Sequence, residues 1–275
     1  MTQDERFSEI WNTEDLVEQL ALTKTYLVEY PNVNELIGKF WKNSLLHVAC
    51  YRDNLEMVEY LLDFGADINV NEKGRNALHA ALGNSNKLNN QLKIIQLLTK
   101  RGITILDGLN DGSCFLMALQ CCKLDIVQYL NEHYPESCTK SFAFEAQGLH
   151  EACENDDPSI LAYCLQFDQD VNKVDENGET PVIRTCGEKE FVEQLIAYGA
   201  DINARDKYGQ TVLHNCVYVE IQAIMDADEV LDTSNTEFLL RNGADKSLMD
   251  NNGETALDWA LSHGEGIYRT IFDKY

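Results

Sequence analysis

Asp175-Glu176-Asn177-Gly178-Glu179-Thr180-Pro181 opens, and Tyr198-Gly199-Ala200-Asp201-Ile202-Asn203 closes, the most regular segment of this 275-residue chain. Gly178 stands where a hairpin tip needs a positive φ, which a residue without a Cβ adopts freely. Thr180-Pro181 reads as a helix start: a capping hydroxyl, then proline at the first helical position, where its missing N–H removes no hydrogen bond. Gly199 reads as the left-handed stop of a second helix. The segment therefore spells tip, helix, helix, stop.

The same punctuation recurs on either side. Gly74, Gly112, Gly209 and Gly253 mark further tips, and Gly65 and Gly243 further stops. Ser44-Leu45-Leu46-His47-Val48-Ala49-Cys50, Asn76-Ala77-Leu78-His79, Gln147-Gly148-Leu149-His150-Glu151-Ala152 and Gly209-Gln210-Thr211-Val212-Leu213-His214 repeat the first helix, and Gly65-Ala66-Asp67-Ile68-Asn69 repeats the exit. These stretches resemble the ankyrin repeat, whose period is about 33 residues. The resemblance implies an all-α fold, a solenoid of stacked helix-turn-helix units with β-hairpin-like tips, about seven to eight units including degenerate caps. A degenerate capping unit is expected over 1–38, repeats over 39–249 starting near Lys39, Asn71, Asp107, Phe142, Asp175 and Asp206, and a C-terminal capping repeat over 250–275. The likeness is weak before Lys39 and between Gly83 and Ser141.

Departures from the repeat are visible as sequence. Asn84-Ser85-Asn86-Lys87-Leu88-Asn89-Asn90 is a polar insert between two helices. A longer insert, from Val219 to Ser234, carries apolar residues at helical spacing and is expected to lengthen its helices or add a short one. Met117 stands where neighbouring units have histidine.

The periodicity of His47, His79, His150 and His214 argues against catalysis, because a triad needs one histidine meeting one nucleophile and one orienting acid. The resemblance gives these histidines hydrogen bonds that tie one unit to the next. No phosphate-binding glycine loop, nucleophile elbow or H-E-x-x-H helix is present. Asp156-Asp157 precedes Pro158 and reads as a helix cap. The chain has nine cysteines and no C-x-x-C pair. Cys50, Cys153, Cys186 and Cys216 occupy small-residue slots of successive units, too far apart for one disulfide or one ion, and read as buried hydrophobes in a reducing compartment. Neither a cofactor nor a metal is expected. A remote alternative is an enzyme site in the irregular 83–141 region, built from Cys114, Cys121 and His133.

The formal net charge is −24, from 22 Lys+Arg against 46 Asp+Glu. Such a surface disfavours nucleic acid and anionic lipid and steers basic partners. No apolar run is long enough to span a membrane, and Met1-Thr2-Gln3-Asp4-Glu5-Arg6 is not a basic leader, so a soluble, cytoplasmic chain, monomeric when alone, is expected.

The resemblance also implies a concave contact surface made of the tips and the exposed side of each first helix. Carried over residue by residue, it gives aromatics at Trp41, Tyr51, Phe144, Tyr208, Tyr218 and Trp259, with Glu151, Glu154, Glu176 and Glu179 among them. Val48 and Asn155 fall on the same surface. Aromatic anchors interspersed with charge are what binding hot spots are made of. The function expected is non-catalytic binding of a basic protein, with a lean towards an inhibitor or immunity-type role. The alternatives are a microbial effector or a signalling adaptor acting in a host cell.

Overall fold

The computed structural model describes residues 2–37, 43–70, 75–83, 89–104, 114–136, 147–167, 170–227, 232–263 and 266–275, with the backbone alone at 147 and 224–227. The chain divides into two compact units, Met1–Cys138 and Thr139–Tyr275. That boundary falls inside the stretch where the sequence repeat is weakest.

Unit 1 holds α1 (Gln3–Asn12), α2 (Leu16–Glu29), α3 (Leu45–Tyr51), α4 (Leu55–Phe64), α5 (Ala77–Leu82), α6 (Gln91–Lys100), α7 (Cys114–Cys121) and α8 (Leu124–His133). Unit 2 holds α9 (Gln147–Cys153), α10 (Pro158–Cys164), α11 (Pro181–Arg184), α12 (Lys189–Ala197), α13 (Val212–Ala227), α14 (Ser234–Arg241), α15 (Ala256–Ser262) and α16 (Ile267–Lys274). No strand occurs among the described residues, only isolated antiparallel bridges at Ile37–Asn43 and Met249–Thr255. Within unit 1 the first helices α3, α5 and α7 pack side by side, and the second helices α2, α4 and α6 form a parallel layer behind them. Unit 2 repeats this with α9, α11, α13 and α15 in front and α10, α12 and α14 behind. Each unit is thus two layers of helices, all-α as the resemblance implies.

The layers follow from a short apolar code. The second helices bury residues at i, i+1 and i+4, as in Met57-Val58-Leu61, Ile94-Ile95-Leu98, Ile126-Val127-Leu130 and Phe191-Val192-Leu195. That spacing makes one stripe on a 3.6-residue helix. Burying one such leucine or isoleucine removes enough apolar surface from water to contribute about 1.5–3 kcal/mol. Small residues on the first helices, among them Ala49, Ala81, Ala152 and Ala260, let the front layer approach closely. Cys50, Cys114, Cys153, Cys164 and Cys216 are buried in the same layers, and the described cysteines are free thiols.

Helix ends are set locally. Asn54 accepts from the Met57 amide, Asp157 from the Ser159 amide ahead of α10, and Thr255 forms a reciprocal box with Asp258. Gly65 closes α4 at φ 102°. The capping hydroxyl read at Thr180 is a correction. Thr180 stands at the N-cap of α11 with Pro181 behind it, yet its hydroxyl makes no cap hydrogen bond and is buried without a partner. The Val219–Ser234 insert lengthens the first helix: α13 runs 16 residues, from Val212 to Ala227. Residues 84–88 of the other insert lie outside the described residues.

A set of ties not anticipated from the sequence runs along the exits of the second helices. The Asn172 side chain accepts from the Asp201 amide at 2.8 Å and donates to the Gly199 carbonyl at 3.0 Å. Asn203 repeats this with the Asp245 amide at 2.7 Å and the Gly243 carbonyl at 3.1 Å. In unit 1 Asn69 accepts from the Thr104 amide at 2.9 Å. The asparagine of each Asp-Ile-Asn exit, and of Asp170-Val171-Asn172, hence holds the next exit in register.

Candidate functional site

The front layer is held by the recurring histidines. His214 Nδ1 accepts from the Thr211 amide at 3.2 Å and lies 2.9 Å from the Thr211 hydroxyl, while Nε2 donates to the Glu254 carbonyl of the next tip at 3.3 Å. His47 does the same with Ser44 at 3.2 and 2.8 Å and with the Arg75 carbonyl at 3.3 Å. His150 reaches the Glu179 carbonyl at 2.8 Å. An amide can only donate, so Nδ1 is unprotonated in His47 and His214 and each ring is neutral with its proton on Nε2. Burial pushes both below the usual histidine range, against the carbonyl hydrogen bond, which acts the other way. In the Asp175 segment Ile183 fills the histidine slot, which is why the Thr180 hydroxyl has nothing to bond.

The tips of unit 2 are built alike. The Oδ1 atoms of Asp175, Asp206 and Asp250 each accept two amides of their own tip, at 2.7–2.9, 2.8 and 2.8–3.0 Å. Successive tips also clasp one another. Lys207 Nζ donates to the Asn177 side chain at 2.7 Å, and the Asn251 amide donates to the Tyr208 carbonyl at 2.9 Å. Gly209, at φ 78°, leaves no room for a Cβ, which would stand 2.7 Å from Asn251 Oδ1 and 3.0 Å from the Asn251 amide nitrogen. Tyr208 is therefore fixed in backbone but open in side chain, with its residue 58% exposed.

Between these tips and the first helices of unit 2 lies a cavity of about 430 Å³. Tyr208, Tyr218 and Trp259 line it with Glu179, Asp206, Asp250 and Glu254, and Cys186, Gln210, His214, Asn215 and Val219 complete the wall. Tyr218 is 50% exposed and packs on Trp259 with ring centroids 5.2 Å apart and planes tilted by 52°. Trp259 is half-buried and also stacks on His263, with ring centroids 4.0 Å apart. No lysine or arginine is among the lining residues.

The remaining acids are placed differently from what the sequence suggests. Arg184 Nη1 pairs with Glu154 at 3.1 Å, and its Nε and Nη2 lie 3.3 Å from Glu179 and 3.4 Å from Asp175 as electrostatic contacts. Glu151 is half-buried nearby, its carboxyl pushed above the usual range by burial and by the Glu154 charge, with Arg184 opposing. Burial likewise raises Glu179 against the pull of Arg184. Glu154 and Glu179 thus contact one cation, whose charge also acts on Glu151, whereas Glu176 is exposed at its tip. Val48 and Asn155 are buried and belong to no contact surface, a correction to their helix-face reading.

Unit 1 has a second cavity, about 320 Å³, lined among others by Trp11, Tyr51, Arg75, His47, His79 and Met117. Trp11 stacks on Tyr51 at 5.4 Å with planes 14° apart, and Arg52 Nε donates to the Trp11 carbonyl at 2.8 Å. Tyr51 is consequently half-buried rather than free. Trp41 and Phe144 lie outside the described residues. The structure brings Tyr208, Tyr218, Trp259 and Glu179 to one cavity. Trp11, Arg184 and Cys186 are the neighbours that sequence reading missed. Arg184 had a signal, since it directly follows the histidine slot among acids, but Trp11 had none.

The described contacts of Cys114, Cys121 and His133 go to different partners. The Cys114 thiol is enclosed 3.4 Å from His79 Nε2, Cys121 is half-buried at the end of α7, and His133 is exposed and stacked on Tyr129 at 4.0 Å. Among the described residues no cluster of three His, Cys, Asp or Glu is arranged for a metal, and no helix is long and apolar enough to cross a membrane.

Comparison with known proteins gives a consistent result. The family model for ankyrin repeats in three copies matches residues 10–107 and 149–227. The ankyrin repeat domain-containing protein OPG023 of cowpox virus is 27% identical over 175 residues, 62% of this chain and 24% of that protein. Human ankyrin repeat and SOCS box protein 6 is 29% identical over 111 residues, 39% of this chain and 25% of its own length. The chain thus spans about a quarter of these relatives. Among solved structures, the human ASB11 ankyrin repeat domain aligns with a TM-score of 0.62 at 18% identity, covering 78% of this chain and 91% of that one. The Bcl-3 ankyrin repeat domain aligns at 0.53 and 20% identity, covering 78% and 92%.

Proposed function

This chain belongs to the ankyrin-repeat family, a fold that generally serves as a non-catalytic protein-interaction module, and we propose that it holds a basic protein partner stoichiometrically on the tip and first-helix face of unit 2. The observation that carries this reading is the cavity in which Tyr208, Tyr218 and Trp259 stand beside Glu179, Asp206, Asp250 and Glu254 with no basic lining residue. Tyrosine and tryptophan offer large contact area at small entropy cost, and the acids favour a cationic counterpart. With a net charge of −24, long-range attraction speeds encounter with a basic surface. Occlusion of a basic toxin or enzyme in the cytoplasm by a monomeric inhibitor fits this chemistry. A second reading, an effector acting in a host cell, is favoured by the likeness to ankyrin proteins of cowpox virus and of mimivirus, the latter 38% identical over 68 residues.

The test is capture from the native cell with the full chain, comparing wild type, Tyr208→Ala and Glu193→Ala. Glu193 is exposed on α12 and is not among the residues lining the cavity. Tyr208→Ala should weaken the captured complex by about 2 kcal/mol and Glu193→Ala should leave it unchanged. Association should slow as salt rises, because the Debye length falls to about 8 Å at 0.15 M. Equal capture by Tyr208→Ala, or a rate indifferent to salt, removes this reading.

A further inference from the structure

We propose that the cavity of unit 2 is a seat for a single lysine side chain projecting from the basic partner. The inference rests on the proposed partner-binding reading and names the group that the cavity would recognise. Tyr218 and Trp259 lie tilted against one another, their centroids 5.2 Å apart and their planes at 52°, and both line the cavity with Tyr208. An aromatic face attracts a cation within about 6 Å of its centroid, more strongly where water is excluded. The Tyr208 ring already receives a cation from the chain itself, Lys207 Nζ, at 5.2 Å from its centroid. Lys207 is not among the cavity's described lining residues, which include no lysine or arginine.

The acids at the rim are not equivalent, and that gives the cavity a direction. Asp206 and Asp250 spend Oδ1 on their own tip amides. Glu179 leans on Arg184. Glu254 is exposed, and its contacts among the described residues are made through the backbone: the amide bonds to Asp250 and the carbonyl receives His214. A lysine stem lying along Tyr218 and Trp259 would bring its ammonium towards Glu254, where N–H donation adds to the aromatic attraction. Rings tilted by 52° offer no pair of parallel faces to a planar guanidinium, whereas a compact ammonium needs none. A trimethylated ammonium would satisfy the rings but has no N–H for the carboxylate. The occupant is therefore a lysine that keeps at least one N–H, rather than arginine or a quaternary amine.

The experiment follows the Trp259 indole N–H resonance of the full chain, assigned with Trp259→Phe, during titration with doubly capped Ala-Lys-Ala. Parallel titrations replace the lysine by norleucine, arginine or trimethyl-lysine, and choline is added as a free quaternary amine. A weak, saturable shift is expected with lysine and none with norleucine. Tyr218→Ala should weaken the lysine probe at least tenfold and Glu254→Gln about threefold, while Tyr198→Ala, an exposed tyrosine outside the cavity, should change nothing. Tyr218→Phe, which keeps the ring, should bind like wild type and controls for folding. Tighter binding of arginine, trimethyl-lysine or choline overturns the assignment, as does a shift with norleucine or an unchanged affinity in Tyr218→Ala. If no probe binds while capture of the partner still depends on Tyr208, the lysine seat is wrong and the partner face stands. If that dependence is also absent, both are wrong.

Discussion

The two cavities occupy the same place in the repeat, and their described linings differ in chemistry. In unit 1 the described lining is Trp11 stacked on Tyr51, with Arg75 beside the histidines and no carboxylate among the described lining residues. In unit 2 it is an open tyrosine and a tilted Tyr218–Trp259 pair among four acids. The floor beneath each is a neutral, buried histidine bonded to the next tip, His47 in one and His214 in the other. The joints between repeats are thus one device and the chemistry above them another. The joint fixes where side chains emerge. Residues at the tips and on the outer side of the first helices then decide what those side chains can hold.

The largest expected contrast lies in two glycines. Gly209→Ala combines φ 78° with a Cβ that meets the Asn251 backbone, so it should lower stability by about 3 kcal/mol and distort the acidic cavity. Gly83→Ala, at the other cavity, has φ −75° and a nearest approach of 3.2 Å to the His79 carbonyl, so it should cost less than about 1 kcal/mol. Urea denaturation of the two variants measures both. Equal losses would mean that the unit 2 tips are not the rigid frame their geometry indicates.

Next come the joints themselves. His47→Ala and His214→Ala should each cost about 2 kcal/mol, since each strands a buried amide and a tip carbonyl. Matching values would support a shared joint, and a much smaller one at either histidine would break the equivalence. Smaller still, and opposite in sign, are two threonines at the same slot. Thr211→Val removes a hydroxyl bonded to His214 and should destabilise by about 1 kcal/mol. Thr180→Val removes a buried hydroxyl with no partner and should stabilise by about 0.5 kcal/mol. Paired thermal melts decide the sign.

The smallest effect is the response to mild acid. His47 and His214 have folded values below the unfolded value of about 6.5, so their contribution is complete above that pH and is lost as pH falls towards their folded values. Glu151, Glu179 and Glu220 in unit 2 are raised by burial, so each costs stability at neutral pH and the cost is relieved as pH falls through their folded values. In unit 1 Asp53 is the corresponding carboxyl. Amide protection should therefore fall further in unit 1 than in unit 2 between about pH 7 and pH 5. Hydrogen exchange resolved by segment measures it, and His47→Ala should flatten the unit 1 slope.

Much of this was legible in order along the chain. Gly178, Gly209 and Gly253 have positive φ at their tips, Pro181 begins α11, Asp157 caps α10, and the Val219 insert extends α13. These are local events, each set by a few neighbouring residues. Tyr208 could be read as exposed for the same reason, because a tip glycine beside it forbids the turn from reversing. Tyr51 could not be read correctly, since its partner Trp11 comes from a helix far earlier in the chain. Glu154 looked like a free acid because nothing adjacent to it shows Arg184 arriving from the next repeat. The missing histidine at Ile183 was in plain view, but its consequence, an orphaned Thr180 hydroxyl, exists only once the helix is packed.

By itself the sequence determined the repeat, its all-α character, its punctuation and its acidity, because turn glycines, caps and apolar stripes act over a few residues. Tertiary structure alone decided which aromatics stay open and which acids stay unpaired. Stacking brings residues about one period apart into contact, and the partner each finds there, Arg184 for Glu154 or Trp11 for Tyr51, depends on the neighbouring helix.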